Sequence, residues 1–98
     1  MYMHIVMWKL KEGLAEGVRE EMADKLRSLK SQLDELVELE VGINTLKSEA
    51  AYDLSLTTSF ENETAYRAYA VDPLHQEVVA WIRDRVSERA VVDYHVDR

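Results

Sequence analysis

The first apolar segment of the chain is short and nearly continuous. Residues 2–10 are apolar except at His4 and Lys9, which is typical of a strand buried on both faces. Successive strand side chains point to opposite sides, so one face carries Met3, Ile5 and Met7 and the other His4, Val6, Trp8 and Leu10. A sheet covered by helices on one face alone would leave one of these rows exposed. The pattern therefore gives a first indication of a second subunit.

The next segment has the spacing of an amphipathic helix. Apolar residues recur three and four positions apart, at Val18, Met22, Leu26, Leu29, Leu33 and Leu36. We predict a helix over about residues 15–35. Its other face mixes acidic and basic side chains, which favours packing on a protein core over binding to a membrane surface.

Two segments with a period of two follow the helix. Apolar and polar residues alternate over Val37–Asn44 and again over Asp53–Phe60, and the two predicted strands are close enough in sequence to form a hairpin. Gly42 lies inside the first of them and indicates either a bulge or a close approach of the backbone.

The rest of the chain predicts a helical region broken in two and a final strand. Asn62 is a good N-cap, and Asp72 followed by Pro73 marks a new helix start. The segment Val91–Val96 is rich in β-branched residues and predicts the last strand. The order is β-α-β-β-α-β, which is the ferredoxin-like plan of an α+β domain, an antiparallel sheet with helices on one face.

Composition narrows the possible functions. Ninety-eight residues make one domain, residues 1–98, and the net charge of -7 without a basic stripe argues against nucleic-acid binding. The chain has no cysteine, which excludes disulfides and thiolate metal sites. No segment approaches the length of a membrane span, and the N-terminal apolar run has no basic leader. We expect a cytoplasmic protein that binds no membrane.

The three histidines do not form a metal motif. His4, His75 and His95 are dispersed and have neither helical nor short-loop ligand spacing, so we predict no metal. No residue pattern indicates haem, flavin or another cofactor, and none is expected.

Several short segments together resemble the stress-responsive dimeric A/B-barrel family. They are residues 4–6, Val41-Gly42-x-Asn44, Tyr52-Asp53-Leu54, Phe60, residues 69–76 and residues 91–94. The resemblance covers about residues 3–96. It implies a ferredoxin-like monomer that pairs through its sheet with a second copy to close an α/β barrel. The residues expected on that open face are Met3, Ile5, Met7, Val92, Tyr94 and Val96.

The resemblance leaves two functions open. One is a non-catalytic or ligand-binding dimer linked to stress, whose ligand would be a small apolar or aromatic molecule. The other is a cofactor-independent polyketide-type cyclase or lyase. Tyr69 and His75 match the tyrosine and general-base histidine of the family's cyclases, and His4 matches a histidine of the first strand. Asp72 and the bulky Trp8 depart from the pattern of the catalytic members.

We expect a candidate pocket between the sheet and the helices. Its predicted catalytic residues are His75 and Tyr69, and its predicted substrate-binding residues are His4, Val6, Trp8, Leu56 and Asp93. His75 lies in the first turn of a helix, whose dipole favours the neutral imidazole that a general base requires. Asp93 is expected to orient a histidine. Each residue also has a structural interpretation, since His75 can close the helix junction, and His4 and Tyr69 can simply pack in the core.

Overall fold

The computed structural model describes residues 1–97 and has the predicted order of elements. The strands and helices are β1 (Tyr2–Leu10), α1 (Val18–Gln32), β2 (Glu38–Ile43), β3 (Leu54–Phe60), α2 (Glu63–Val71), α3 (Pro73–Arg83) and β4 (Val86–His95). The strands form one antiparallel sheet in the order β2-β3-β1-β4, and the ferredoxin-like prediction is confirmed. β1 is a central strand, as its continuous apolar run predicts.

Helix α1 is shorter than predicted at both ends. Gly17 precedes it in the left-handed region with φ of 85°, a conformation that glycine adopts at little cost, and Leu33 follows it in an extended conformation. Leu33 and Leu36 are nevertheless buried in the core. The apolar spacing therefore continues past the helix because the turn after α1 packs the same side of the chain against the sheet.

Strand β4 begins at Val86, five residues before the predicted start at Val91. Its first half contains Ser87, Glu88 and Arg89, so an apolar pattern does not reveal it. The strand pairs along β1 nonetheless, with an irregular register only near Lys9.

At Gly42 of β2 the register to β3 is unbroken, and a β-carbon there would lie 3.0 Å from Ser55 Oγ. Of the two explanations for this glycine, close approach is the correct one.

The break in the helical region follows from two side-chain caps. Asn62 Oδ1 accepts a hydrogen bond from the Ala65 backbone N–H at 2.8 Å, and Asp72 Oδ1 accepts one from the Leu74 N–H at 2.9 Å. Pro73 is the first residue of α3, where its missing N–H is harmless. These caps fix the direction of α3 and place its first turn over the sheet.

The core fills the space between the sheet and the three helices. Its most enclosed large side chains are Tyr69, Phe60, Met22, Leu29 and Leu54. The opposite side of the sheet, which we call the open sheet face, carries Met3, Ile5, Met7, Ala90, Val92 and Tyr94 in adjacent register positions. Val92 is 51% exposed, and Met7 and Tyr94 are also exposed. Contiguous apolar residues on a surface of this kind mark an interaction site.

Within residues 1–97, none of the helices is both long enough and apolar enough to cross a bilayer.

Candidate functional site

A cavity of about 290 Å³ lies between α3 and the helix-facing side of the sheet. We call it the α3 cavity. It is lined by His4, Val6, Trp8, Leu26, Leu56, Tyr66, His75, Val78, Val79, Ile82, Arg83, Val86 and Arg89. Its volume is at the small end of the range of ligand pockets, which starts at roughly 300 Å³. A mostly apolar wall with a few polar groups is the usual composition of a small-molecule site.

His4 forms a hydrogen-bonded pair with Asp93. The two residues are opposite each other in the β1–β4 register, and His4 Nδ1 lies 2.5 Å from Asp93 Oδ1. An ionised carboxylate can only accept a hydrogen bond, so Nδ1 carries the proton and Nε2 keeps the free lone pair of the ring. Burial lowers the pKa of His4 below its ordinary value, and the bond to Asp93 offsets this only in part. His4 is thus the histidine that Asp93 orients.

His75 is held by the helix junction. Its Nδ1 lies 3.1 Å from the Ala70 carbonyl oxygen, which can only accept, so Nδ1 donates and Nε2 is left with its lone pair. Burial lowers the pKa of His75, and the positive charges of a protonated His4 and of Arg89 lower it further. The bond to Ala70 and the carboxylate of Asp72 act in the opposite direction but do not prevail. His75 therefore holds a neutral imidazole on the cavity wall near pH 7.

Tyr69 lies behind the cavity wall. Its side chain is fully buried, it does not line the cavity, and its ring centre is 4.2 Å from that of His75. The hydroxyl has no hydrogen-bond partner among residues 1–97, and burial raises its pKa. We expected Tyr69 to face the pocket; the enclosed position instead makes it a support for the His75 ring.

Tyr69→Phe tests this supporting position. Removing a buried hydroxyl that has no protein partner should raise the free energy of unfolding by about 1 kcal/mol, because the desolvation cost of that group disappears. Urea unfolding at fixed protein concentration measures the change. A loss of stability of similar size would show that the hydroxyl is satisfied in the folded protein and would contradict this description.

The structure brings most of the predicted site residues together. His4, Val6, Trp8, Leu56 and His75 line the cavity. Asp93 reaches it only through His4 and is not a wall residue. His95 lies at the surface, with Nε2 3.8 Å from Glu63 Oε1. Within residues 1–97, no group of three His, Asp or Glu side chains is arranged to hold a metal ion.

Three polar residues of the cavity, Tyr66, Arg83 and Arg89, were not predicted from the sequence. The Tyr66 ring centre lies 4.7 Å from that of His4, and burial raises the pKa of this tyrosine. Arg89 is opposite Trp8 in the sheet register. Tyr66 belongs to the inward side of α2 and lines the cavity next to His4. Arg89 would have been found by continuing the alternation of Asp93 and Val91 two residues further back along the strand.

The sequence matches the family described as Stress responsive A/B Barrel Domain over residues 3–96. The chain belongs to this family. No curated protein matches it.

Solved structures of related proteins share the fold. A dimeric ferredoxin-like protein of unknown function from a Jannaschia species is 26% identical, with a TM-score of 0.77 and coverage of 97% of this chain and 98% of that one. A dimeric protein of unknown function from Bacteroides fragilis is 23% identical, with a TM-score of 0.84 and coverage of 97% and 95%. The hydroxynitrile lyase of Passiflora edulis is 14% identical, with a TM-score of 0.87 and coverage of 98% and 93%. The structures that share this fold thus include an enzyme as well as dimers of unknown function.

Proposed function

We propose that this protein is a homodimer that pairs through its open sheet face and binds a small, mainly apolar molecule in the α3 cavity. The pairing is supported by the exposed Val92, Met7 and Tyr94 and by the related proteins described as dimeric. Binding without catalysis is the first candidate for the function of the cavity. A cytoplasmic location stays a prediction from the sequence.

The observation that carries the proposal is the composition of the cavity wall. Val6, Leu56 and Ile82 offer apolar surface, while His4 and His75 each present an imidazole held by a bond from Nδ1. Such a wall suits a molecule of about ten heavy atoms with an aromatic or aliphatic body and one hydrogen-bonding group. Because both rings offer an Nε2 lone pair, that group must be a donor, and an aromatic amide or alcohol fits this description.

Binding can be followed with Trp8, one of the two tryptophans and the one on the cavity wall. Trp81 lies outside the cavity, stacked against Arg85 at 3.9 Å, so Trp81→Phe leaves Trp8 as the sole fluorescent reporter. We expect 4-methylbenzamide and 4-methylbenzyl alcohol to change Trp8 emission saturably, and to shift the NMR signals of His75 and Ile82. Absence of saturable binding by both probes up to millimolar concentration would overturn the binding function.

The second candidate is a cofactor-independent lyase or cyclase, and a specific observation favours it. His75 donates a hydrogen bond from Nδ1 to the Ala70 carbonyl, so Nε2 is free to act as the base. Burial lowers the pKa of the ring and keeps it neutral. In a lyase, Nε2 would remove the hydroxyl proton of a hydroxynitrile as the carbon–cyanide bond breaks. The carbonyl would form, and the proton would pass to the leaving cyanide. The same base could remove a proton next to a carbonyl to begin an aldol or Claisen closure.

His75→Gln separates the two candidates. If His75 is a general base, the wild-type protein should cleave mandelonitrile to benzaldehyde, and the variant should be slower by about 10²–10⁴-fold. His95→Gln is the matched control, because this histidine lies at the surface away from the cavity. If the wild-type protein does not exceed the buffer rate while the probes above still bind, the lyase is excluded and the binding function stands.

A further inference from the structure

Arg89 is a charged residue of the α3 cavity that neither candidate function uses. It lies on the helix-facing side of β4, opposite Trp8, and lines the cavity. Its guanidinium has no ion-pair or hydrogen-bond partner among residues 1–97, whereas Arg19, Arg27 and Arg67 are paired with acids. Arg89 is exposed to solvent, so its guanidinium needs no partner within the protein, and its charge is available to a ligand that occupies the cavity.

The charge of Arg89 also reaches the polar groups of the cavity. It contributes to lowering the pKa of His4 and His75, and it opposes the rise in the pKa of Tyr66. Arg83 lines the cavity too but has no such effect on these groups. Arg89 is therefore the arginine of the cavity wall whose charge acts on both His4 and His75.

We propose that the ligand of the α3 cavity is an apolar or aromatic monocarboxylate, and that its carboxylate binds the Arg89 guanidinium. This inference rests on the proposed binding function and specifies the class of ligand. The planar guanidinium fork matches a carboxylate with two parallel hydrogen bonds. Val78, Val79 and Val86 offer apolar surface for the body of the molecule.

The position of Asp93 is consistent with this orientation. Asp93 Oδ1 is already bonded to His4, so the end of the site near Asp93 would repel a second carboxylate. Four residues of strand separate it from Arg89, a distance of roughly 13 Å between their backbones. An anionic ligand is therefore favoured at the Arg89 end, with its apolar body directed under α3 toward His75.

A matched pair of probes tests the proposal. We would titrate 4-methylbenzoate and 4-methylbenzamide, which have the same shape, into Trp81→Phe protein and into the same protein with Arg89→Gln. In the first protein the carboxylate should bind about tenfold more tightly than the amide, and added salt should weaken only the carboxylate. With Arg89→Gln the preference should fall to about one while the amide Kd changes less than twofold. Arg89→Lys, which keeps the charge but loses the fork, should give an intermediate preference.

The possible outcomes separate the carboxylate proposal from the binding function on which it rests. Arg27→Gln removes the same charge from the outer face of α1 and should leave the preference intact. If the amide binds but no preference exists, or if the preference survives Arg89→Gln, the carboxylate proposal is overturned and the binding function stands. The assignment to Arg89 is equally overturned if Arg83→Gln alone abolishes the preference. If neither probe binds, and 4-methylbenzyl alcohol does not bind either, both proposals fail.

Discussion

Replacing Val92 with aspartate should convert the dimer into monomers. Val92 is opposite Ile5 at the centre of the open sheet face. Pairing would place a carboxylate there between two apolar surfaces. Lys9, the lysine of β1 on this face, lies four residues along the strand from Ile5 and is already paired with Glu88. An unpaired buried charge of this kind costs about 3–5 kcal/mol, which corresponds to roughly 10²–10⁴-fold in the dimer Kd. Sedimentation at micromolar concentration should give twice the 11.4 kDa chain mass for the wild type and the chain mass for the variant.

Val71→Asp is the control for this change. Val71 is 74% exposed at the end of α2, on the layer of the molecule away from the open sheet face, and it undergoes the same substitution. It should therefore remain dimeric. A wild-type protein that sediments as a monomer would refute the homodimer, and a dimeric Val92→Asp variant would show that the two copies pair through another surface.

The strands and caps were predictable because their signals are local. The alternation in β2 and β3 and the polar caps at Asn62 and Asp72 each act over a few residues, so they can be read from the sequence directly. The end of α1 could not be read in this way. Leu33 and Leu36 keep the helical spacing because tertiary packing, and not helix geometry, buries them.

The residues of the α3 cavity were partly predictable, because the alternation of side chains along a strand is also a local signal. The faces of β1 follow from strand alternation, so His4, Val6 and Trp8 fall on the cavity side whatever the details of packing. Which histidine pairs with Asp93 depends on the register between β1 and β4, which the sequence does not reveal. The full burial of Tyr69 depends on how α2 packs against α3. Helical periodicity predicts which face of a helix is buried, but it does not predict how deeply each side chain is buried.

The stability of the protein should fall as the pH drops below about 6.5. The pKa values of His4 and His75 are both lowered in the folded protein, chiefly by burial, whereas the unfolded chain titrates near the ordinary value of about 6.5. Below that pH the unfolded state binds more protons than the folded state, so protonation favours unfolding. The stabilisation is complete above the unfolded pKa and is lost as the pH falls through the folded pKa values. The slope can approach about 1.4 kcal/mol per pH unit for each histidine.

Urea unfolding between pH 5.5 and 8 measures this effect, at one protein concentration because the stability of the proposed homodimer would depend on concentration. His75→Gln should remove the share of the slope that belongs to His75, and His95→Gln should leave the slope as it is. NMR titration of the ring protons then assigns the shifts to individual residues. A stability that is flat or rises on acidification would contradict the burial of both imidazoles. A pKa of His75 above 7 would leave its ring mostly protonated at neutral pH, and the general-base candidate would fall with it.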